Sequence, residues 1–111
     1  MKNSSNPTPS PAALAYVQAV NAADLQALVN AFTPTATIVD VHRDITGHAA
    51  IETWAHNEVM GGSLEVLEVT EYPGGQDLLV HFSPKGSNGF RAHYRFDIAG
   101  GKITGANLQY A

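Results

Sequence analysis

Residues 89 to 98 read GFRAHYRFDI, and this stretch decides the fold class. Side chains alternate between the two faces of a β-strand, so the apolar positions fall together on one face: Phe90, Ala92, Tyr94 and Phe96. The opposite face is charged and carries Arg91, His93, Arg95 and Asp97. The apolar face is expected to cover a core. The charged face is either solvated or a polar dimer interface, and the alternation fits both.

Three further strands surround this one and are predicted at 63–72, 77–83 and 102–110. Short turns rich in glycine or proline separate them, such as Pro73-Gly74-Gly75 and Ala99-Gly100-Gly101. Turns this short join antiparallel neighbours, so the C-terminal half is predicted to be a meander of hairpins.

The N-terminal half is predicted to form helices around a single strand. Ser10-Pro11 is typical of a helix start, Asp24 is placed to cap a second short helix that ends at Thr33-Pro34, and a third helix is predicted over about 48–59. The stretch from Thr35 to His42 is β-branched and alternates, which predicts a strand. Helices segregated from an antiparallel sheet define the α+β class, with the helices packed on one face of the sheet.

Size and composition limit the possible functions. The chain has 111 residues, which suits one domain, interpreted as 10–111 behind a flexible segment at 1–9. A net charge of −4 with no basic run argues against binding to nucleic acid or to anionic membranes. No apolar run approaches the roughly 20 residues that span a bilayer, so a cytoplasmic protein is expected. Cysteine is absent, which excludes disulfides, thiolate catalysis and cysteine-based zinc sites.

Asp40 is the most informative polar residue, because it follows Ala36 and Ile38 on one face of the predicted strand. A carboxylate that faces an apolar interior is desolvated, which suits a general base working near neutral pH. A solvated position at the strand end is the alternative. Tyr16, on the first helix, is either a core residue or a phenol that donates a hydrogen bond to a substrate carbonyl.

No histidine spacing indicates a metal site, so neither a metal nor a cofactor is expected; the five histidines are His42, His48, His56, His81 and His93. The segment His42-Arg43-Asp44 is interpreted as a charged loop that is either solvated or at the rim of a pocket. Five large apolar side chains are either core residues or, if the domain has a cavity, its wall: Phe32, Trp54, Phe82, Phe90 and Tyr94.

Five segments are similar to known proteins: DLQALVNAF at 24–32, ATIVD at 36–40, GHAAI at 47–51, RFD at 95–97 and KI at 102–103. Together they resemble the ketosteroid isomerase-like and SnoaL-like branch of the nuclear transport factor 2-like superfamily. The resemblance covers most of the chain. It implies a cone-like α+β fold, in which helices pack on a curved, mainly antiparallel sheet that encloses an apolar pocket.

The resemblance also implies roles for individual residues. In that branch a strand aspartate moves a proton, and Asp40 falls at the matching position. A tyrosine on the first helix helps to form the oxyanion hole, and Tyr16 matches it by ungapped spacing to Asp40. The resemblance therefore implies Asp40 and Tyr16 as catalytic residues beside a pocket for a small hydrophobic molecule, lined by Phe32, Trp54, Phe82, Phe90, Ala92 and Tyr94.

The sequence departs from the ketosteroid isomerase pattern at two places. The acid that supplies the second oxyanion donor should fall near Ala92, and alanine cannot donate. Supporting tyrosines are replaced by Phe32 and Ala55. Losing one oxyanion donor typically costs about 100- to 1,000-fold in rate, so efficient steroid isomerisation is not expected.

Three hypotheses about function follow. The first is an acid/base enzyme that acts without a cofactor on a small hydrophobic carbonyl compound. The second is a binding module with the same pocket and no turnover. The third is a dimeric scaffold with a closed pocket, whose subunits associate about a two-fold axis through Arg91, His93 and Arg95 on the outer sheet face.

Overall fold

The computed structural model describes residues 7–111, in which two helices, a two-stranded hairpin, a third helix and four further strands follow one another along the chain. The helices are α1 (Pro11–Asn21), α2 (Leu25–Asn30) and α3 (His48–Glu58). The strands are β1 (Phe32–Asp40), β2 (Arg43–Thr46), β3 (Ser63–Tyr72), β4 (Gly75–Ser83), β5 (Phe90–Ala99) and β6 (Lys102–Tyr110). Within this part of the chain, no helix is long and apolar enough to cross a bilayer.

The strands form one sheet in the order β2-β1-β6-β5-β4-β3. The strands β3 to β6 pair antiparallel as a meander, as predicted. β1 pairs antiparallel with β2 but parallel with β6, where Ile38 lies opposite Ala106. A parallel pair needs a long connection, which α3 and the meander supply here. The α+β class with a mainly antiparallel sheet is confirmed.

The first two helices begin where the sequence supplies a cap. The Ser10 hydroxyl accepts a hydrogen bond from the Ala13 amide at 3.4 Å, and Asp24 Oδ1 accepts one from the Ala27 amide at 3.0 Å. Such caps satisfy amides that have no partner within the helix. Both helices therefore begin where they were predicted to begin. α1 packs against β3, and α3 packs against β1 and β2.

The strand predicted over 35–42 ends two residues earlier, because Val41 and His42 form the turn of a hairpin that joins β1 to β2. β2 begins at Arg43, so the interpretation of His42-Arg43-Asp44 as a charged loop is wrong for Arg43 and Asp44, which lie in a strand, whereas His42 lies in the turn. The physical reason is Ile45, which is buried and gives the polar segment an apolar anchor on the sheet. The consequence is that the Arg43 side chain is fixed in register with Asp40.

Val41 makes the turn of this hairpin in an unusual conformation. Its φ is 60°, in the left-handed region that costs an L-residue energy and that β-branched side chains rarely adopt. Two hydrogen bonds hold it there: Val41 N donates to Leu108 O at 2.9 Å, and Gln109 Nε2 donates to Val41 O at 3.1 Å. The end of β6 thus fixes the residue that follows Asp40.

Pro34 lies within β1 and does not end the second helix as predicted. α2 finishes at Asn30, and the strand begins at Phe32. The pairing of β1 with β6 is interrupted between Phe32 and Thr37, so Pro34 is not required to donate a ladder hydrogen bond. A proline in this sequence context therefore marks an irregular strand start.

The core lies between the helices and the inner face of the sheet. The alternation predicted for β5 is present, because Ala92, Tyr94 and Phe96 are buried while the charged residues between them are exposed. Tyr16 of α1 is fully buried and packs edge-on against Phe96, with ring centroids 5.3 Å apart. Burying one such ring contributes roughly 1.5–3 kcal/mol to folding.

Gln76, on β4, is a polar residue buried at 5% exposure. Its Oε1 accepts a hydrogen bond from Ser10 N at 2.8 Å, and its Nε2 donates to Thr8 O at 3.0 Å and to Glu71 Oε2 at 3.4 Å. A buried amide thus attaches the residues before α1 to the sheet. Of the flexible segment predicted at 1–9, residues 1–6 lie outside the described residues.

Candidate functional site

A cavity of about 550 Å³ opens beside α3, at the end of the sheet where β1 and β6 finish and β5 begins. This volume is within the range of small-molecule sites, about 300–1,000 Å³. Most of the wall is aromatic or aliphatic: Val41, Trp54, Val59, Phe82, Pro84, Phe90, Ala92, Tyr94, Leu108 and Tyr110. The polar part comprises Asp40, His42, Arg43, Glu58 and Gln109. The cavity is thus mainly apolar with polar groups gathered near the β1–β2 hairpin.

Asp40 lies in this wall at the end of β1, with its side chain 22% exposed. Its Oδ2 accepts two hydrogen bonds, one from Trp54 Nε1 at 3.1 Å and one from Arg43 Nη2. Its Oδ1 accepts none from residues 7–111. The carboxylate is therefore held by one oxygen, while the other oxygen has no partner within the described chain.

Arg43 connects Asp40 to α3. Its Nη1 and Nη2 donate to the two carboxylate oxygens of Glu58 at 2.8 and 2.6 Å, in the bidentate geometry that is the strongest form of this pair. The hydrogen bonds from Arg43 lower the pKa of Glu58, and those to Glu58 and Asp40 raise the pKa of Arg43. Both side chains are about half exposed, so the pair contributes more to geometry than to stability.

Trp54 fixes Asp40 from the helix side. Its ring is buried at 7% exposure, and a buried indole N–H needs an acceptor. The Asp40 carboxylate provides that acceptor, which aligns α3 with the end of β1. Trp54 therefore has two roles: its ring forms part of the cavity wall and its N–H orients the carboxylate.

Two phenols lie near the carboxylate. Tyr94 lines the cavity, and Tyr16 packs beside it with ring centroids 6.1 Å apart. Burial raises the pKa of both hydroxyls, and the negative charge of Asp40 raises it further; Tyr94 adds to the effect on Tyr16. Neither hydroxyl is hydrogen-bonded to another residue in the range 7–111. Both phenols therefore stay protonated near neutral pH and remain able to donate.

The structure brings together most of the residues implied by the resemblance. Six of them line the cavity: Asp40, Trp54, Phe82, Phe90, Ala92 and Tyr94. Tyr16 and Phe32 do not line it; they are fully buried and pack against each other, with ring centroids 5.9 Å apart. Tyr94, predicted only as a wall residue, lines the cavity next to Tyr16, and Tyr110 lines it as well.

Arg43 and Glu58 are polar wall residues that the sequence reasoning did not identify as partners of Asp40. The signal for Arg43 was present, because a charged segment directly after Asp40 is placed to reach it, but the segment was interpreted as a loop. Glu58 gave no signal, since a glutamate at the end of an amphipathic helix is usually solvated.

The histidines do not form a metal site in the described part of the chain, where no group of three or more His, Asp or Glu side chains is placed to hold an ion. Three of them make hydrogen bonds within the chain instead, including His81, whose Nδ1 is 3.4 Å from Ser83 Oγ. His48 Nε2 is 2.8 Å from Phe32 O, and His93 Nδ1 is 2.9 Å from Asp77 Oδ1. Of the five, His42 lines the cavity.

Comparison with known proteins gives structural similarity alone. No family model matches the chain, and no curated protein sequence matches it. A candidate polyketide cyclase from Sinorhizobium meliloti superimposes with a TM-score of 0.79 at 23% identity, over 90% of this chain and 94% of that one. A nuclear transport factor 2-like protein of unknown function from Cytophaga hutchinsonii gives 0.81 at 13% identity, over 96% and 95%.

A candidate ketosteroid isomerase from Kribbella flavida superimposes with a TM-score of 0.78 at 12% identity, over 90% of this chain and 75% of that one. Similarity at these identities concerns the fold. The chain therefore has the cone-like nuclear transport factor 2-like fold, as the sequence resemblance implied, and the chemistry of the site has to be argued from its own residues.

Proposed function

We propose that this protein is an acid/base enzyme that moves a proton on a small, largely apolar carbonyl compound bound in the cavity. The observation that carries the proposal is the state of the Asp40 carboxylate. Asp40 lines the cavity, and its Oδ2 is occupied by Trp54 and Arg43, whereas its Oδ1 has no partner in the described chain. A general base needs such an oxygen, held in place and open to substrate.

The proposed step is a proton transfer at a carbon next to the carbonyl. Oδ1 of Asp40 accepts the proton, and the electron pair of the C–H bond moves toward the carbonyl oxygen to give an enolate. The same oxygen then returns the proton to that carbon or to a conjugated neighbour. Arg43 and Trp54 keep the carboxylate in one orientation through both halves of the reaction.

The negative charge that develops on the carbonyl oxygen needs a donor. Tyr94 is proposed for this role, because its phenol lines the cavity and its raised pKa keeps the proton on the hydroxyl. Tyr16 lies behind it and supports it by edge-to-face packing. Ala92 offers no second side-chain donor, so the proposed enzyme has a weaker oxyanion site than two donors would provide.

The test is deuterium exchange on simple enolisable ketones. 1-Indanone and 2-tetralone are incubated with the protein in D₂O, and loss of the α-proton signal is followed by NMR. Asp40→Asn removes the base but keeps an acceptor for Trp54, and it is expected to slow exchange by about 100- to 10,000-fold. Asp44→Asn is the matched control, since Asp44 is an exposed aspartate on the adjoining strand outside the cavity wall.

Equal exchange by Asp40→Asn and the wild type would contradict the proposed base. A second function, binding without turnover, is favoured by Ala92, which supplies no second oxyanion donor. It predicts no exchange with either ketone, together with the same ligand affinity in the wild type and in Asp40→Asn.

The dimer predicted through Arg91, His93 and Arg95 stays a proposal, for which sedimentation measurements are the test.

A further inference from the structure

Arg43 is the arginine of the cavity wall, and its hydrogen bonds are already committed within the chain. Nη1 donates to Glu58, and Nη2 donates to both Glu58 and Asp40. A guanidinium group has five N–H donors, so three are in use. The fork formed by Nη1 and Nη2, which is the part that grips a carboxylate or phosphate, is occupied by Glu58.

The charges on this side of the cavity do not balance. Asp40 and Glu58 each carry one negative charge and Arg43 carries one positive charge, which leaves a net charge of −1. The remaining basic residue of the wall is His42. The rest of the wall, Gln109 included, is uncharged, so nothing there offsets the net charge.

We propose that Glu58 is a specificity-determining residue that reserves the cavity for ligands without a negative charge. It acts by occupying Arg43, the group that would otherwise bind a ligand carboxylate. The inference rests on the proposed ligand cavity and names its substrate class: an uncharged or amine-bearing compound whose ring system packs against the aromatic wall. A carboxylate of the same shape is repelled by the net negative charge of this side of the cavity. It also cannot bind Nη1 and Nη2 of Arg43, because both donate to Glu58.

The experiment compares two ligands of equal size, the neutral ketone 2-acetylnaphthalene and the anion 2-naphthoate. The chain has one tryptophan, and Trp54 lines the cavity, so its indole N–H signal reports binding by NMR. At about pH 8 the wild type is expected to bind the ketone more tightly than the anion. Glu58→Gln is expected to bind 2-naphthoate about 5- to 30-fold more tightly than the wild type. The substitution removes the negative charge of Glu58 and frees the Arg43 guanidinium to donate to the ligand carboxylate.

Two control variants separate this effect from a change in overall charge. Glu52 lies on the same helix, is exposed and is outside the cavity wall, so Glu52→Gln makes the same charge change and is expected to leave both affinities unaltered. In the double variant Arg43→Gln/Glu58→Gln the gain for 2-naphthoate should disappear, because the arginine is absent. Glu58→Ala should act in the same direction as Glu58→Gln, which guards against a folding defect in one variant.

The inference is overturned if the wild type binds 2-naphthoate as tightly as the ketone. It is also overturned if the gain of Glu58→Gln persists without Arg43. Deuterium exchange distinguishes these results from a failure of the proposed function. A protein that exchanges ketone protons through Asp40 but shows no charge preference overturns the role of Glu58 alone, whereas a wild type that binds neither ligand overturns both.

Discussion

Gln76 on β4 and Asp40 on β1 are polar side chains on the inner side of the sheet, and they differ in how completely they are hydrogen-bonded. The Gln76 amide makes three hydrogen bonds within the chain and joins the segment before α1 to the sheet. Asp40 lines the cavity and uses one oxygen for Arg43 and Trp54, while its other oxygen has no partner in the described chain. A buried polar group with all its partners supports the fold, whereas one held in place but incompletely paired is available to a ligand.

The two phenols repeat this contrast, and a large effect on activity is expected when one of them is changed. Tyr94→Phe removes a hydroxyl that lines the cavity and is expected to lower the rate of ketone proton exchange by about 100- to 1,000-fold. Tyr16→Phe removes a hydroxyl behind the wall and should cause a much smaller loss. Deuterium exchange in D₂O measures both, and a larger loss for Tyr16→Phe would transfer the donor role to Tyr16.

A smaller effect is expected at Gln76, on stability instead of activity. Gln76→Ala leaves the Ser10 amide and the Thr8 carbonyl without their partner, which costs about 1–3 kcal/mol of unfolding free energy. Urea denaturation measures the loss. Gln18→Ala, at an exposed position of α1, is the control and should change stability little. Reduced ketone exchange by folded Gln76→Ala would contradict the separation between a structural and a functional polar residue.

The smallest effect is the pH dependence contributed by Glu58. Its folded-state pKa is lowered below the ordinary value of 4.5, first by the hydrogen bonds from Arg43. The stabilisation is therefore fully present above pH 4.5 and is lost as the pH falls through the lowered folded-state pKa. The pair is exposed and screened, so its effect on stability is small. Between pH 7 and the acid range, the urea midpoint of the wild type relative to that of Glu58→Gln should fall by only about 0.1–0.3 M. An unchanged difference between pH 7 and the acid range would show that the pair is not formed in solution.

Most of the fold was predictable from local patterns. The alternation in β5, the short turns of the meander and the capping residues Ser10 and Asp24 each act over a few residues, so the sequence displays them directly. The β1–β2 hairpin was missed because its segment is mostly polar, and the burial of Ile45 depends on a sheet that exists only after folding. Pro34 was misinterpreted for a similar reason, since an irregular strand pairing removed the need for its N–H.

The site was predictable in part. Asp40 was identified from its position in an apolar strand, and the aromatic wall followed from the resemblance. The partner of Arg43 was not predictable, because Glu58 is distant in sequence and approaches only when α3 packs against the hairpin. The position of Tyr16 behind Tyr94 was hidden as well, because both are aromatic residues on predicted inner faces and the cavity boundary is a property of tertiary packing.

Val41 also matters to anyone who wishes to engineer this protein. A β-branched residue in a left-handed conformation costs roughly 1–2 kcal/mol, and here the end of β6 imposes that conformation next to the candidate base. Asparagine adopts the same conformation more easily, so position 41 is a natural starting point for thermostabilisation. The turn also sets where Asp40 and Arg43 meet. A substitution at position 41 that raises thermal stability is therefore expected to alter the proposed activity as well.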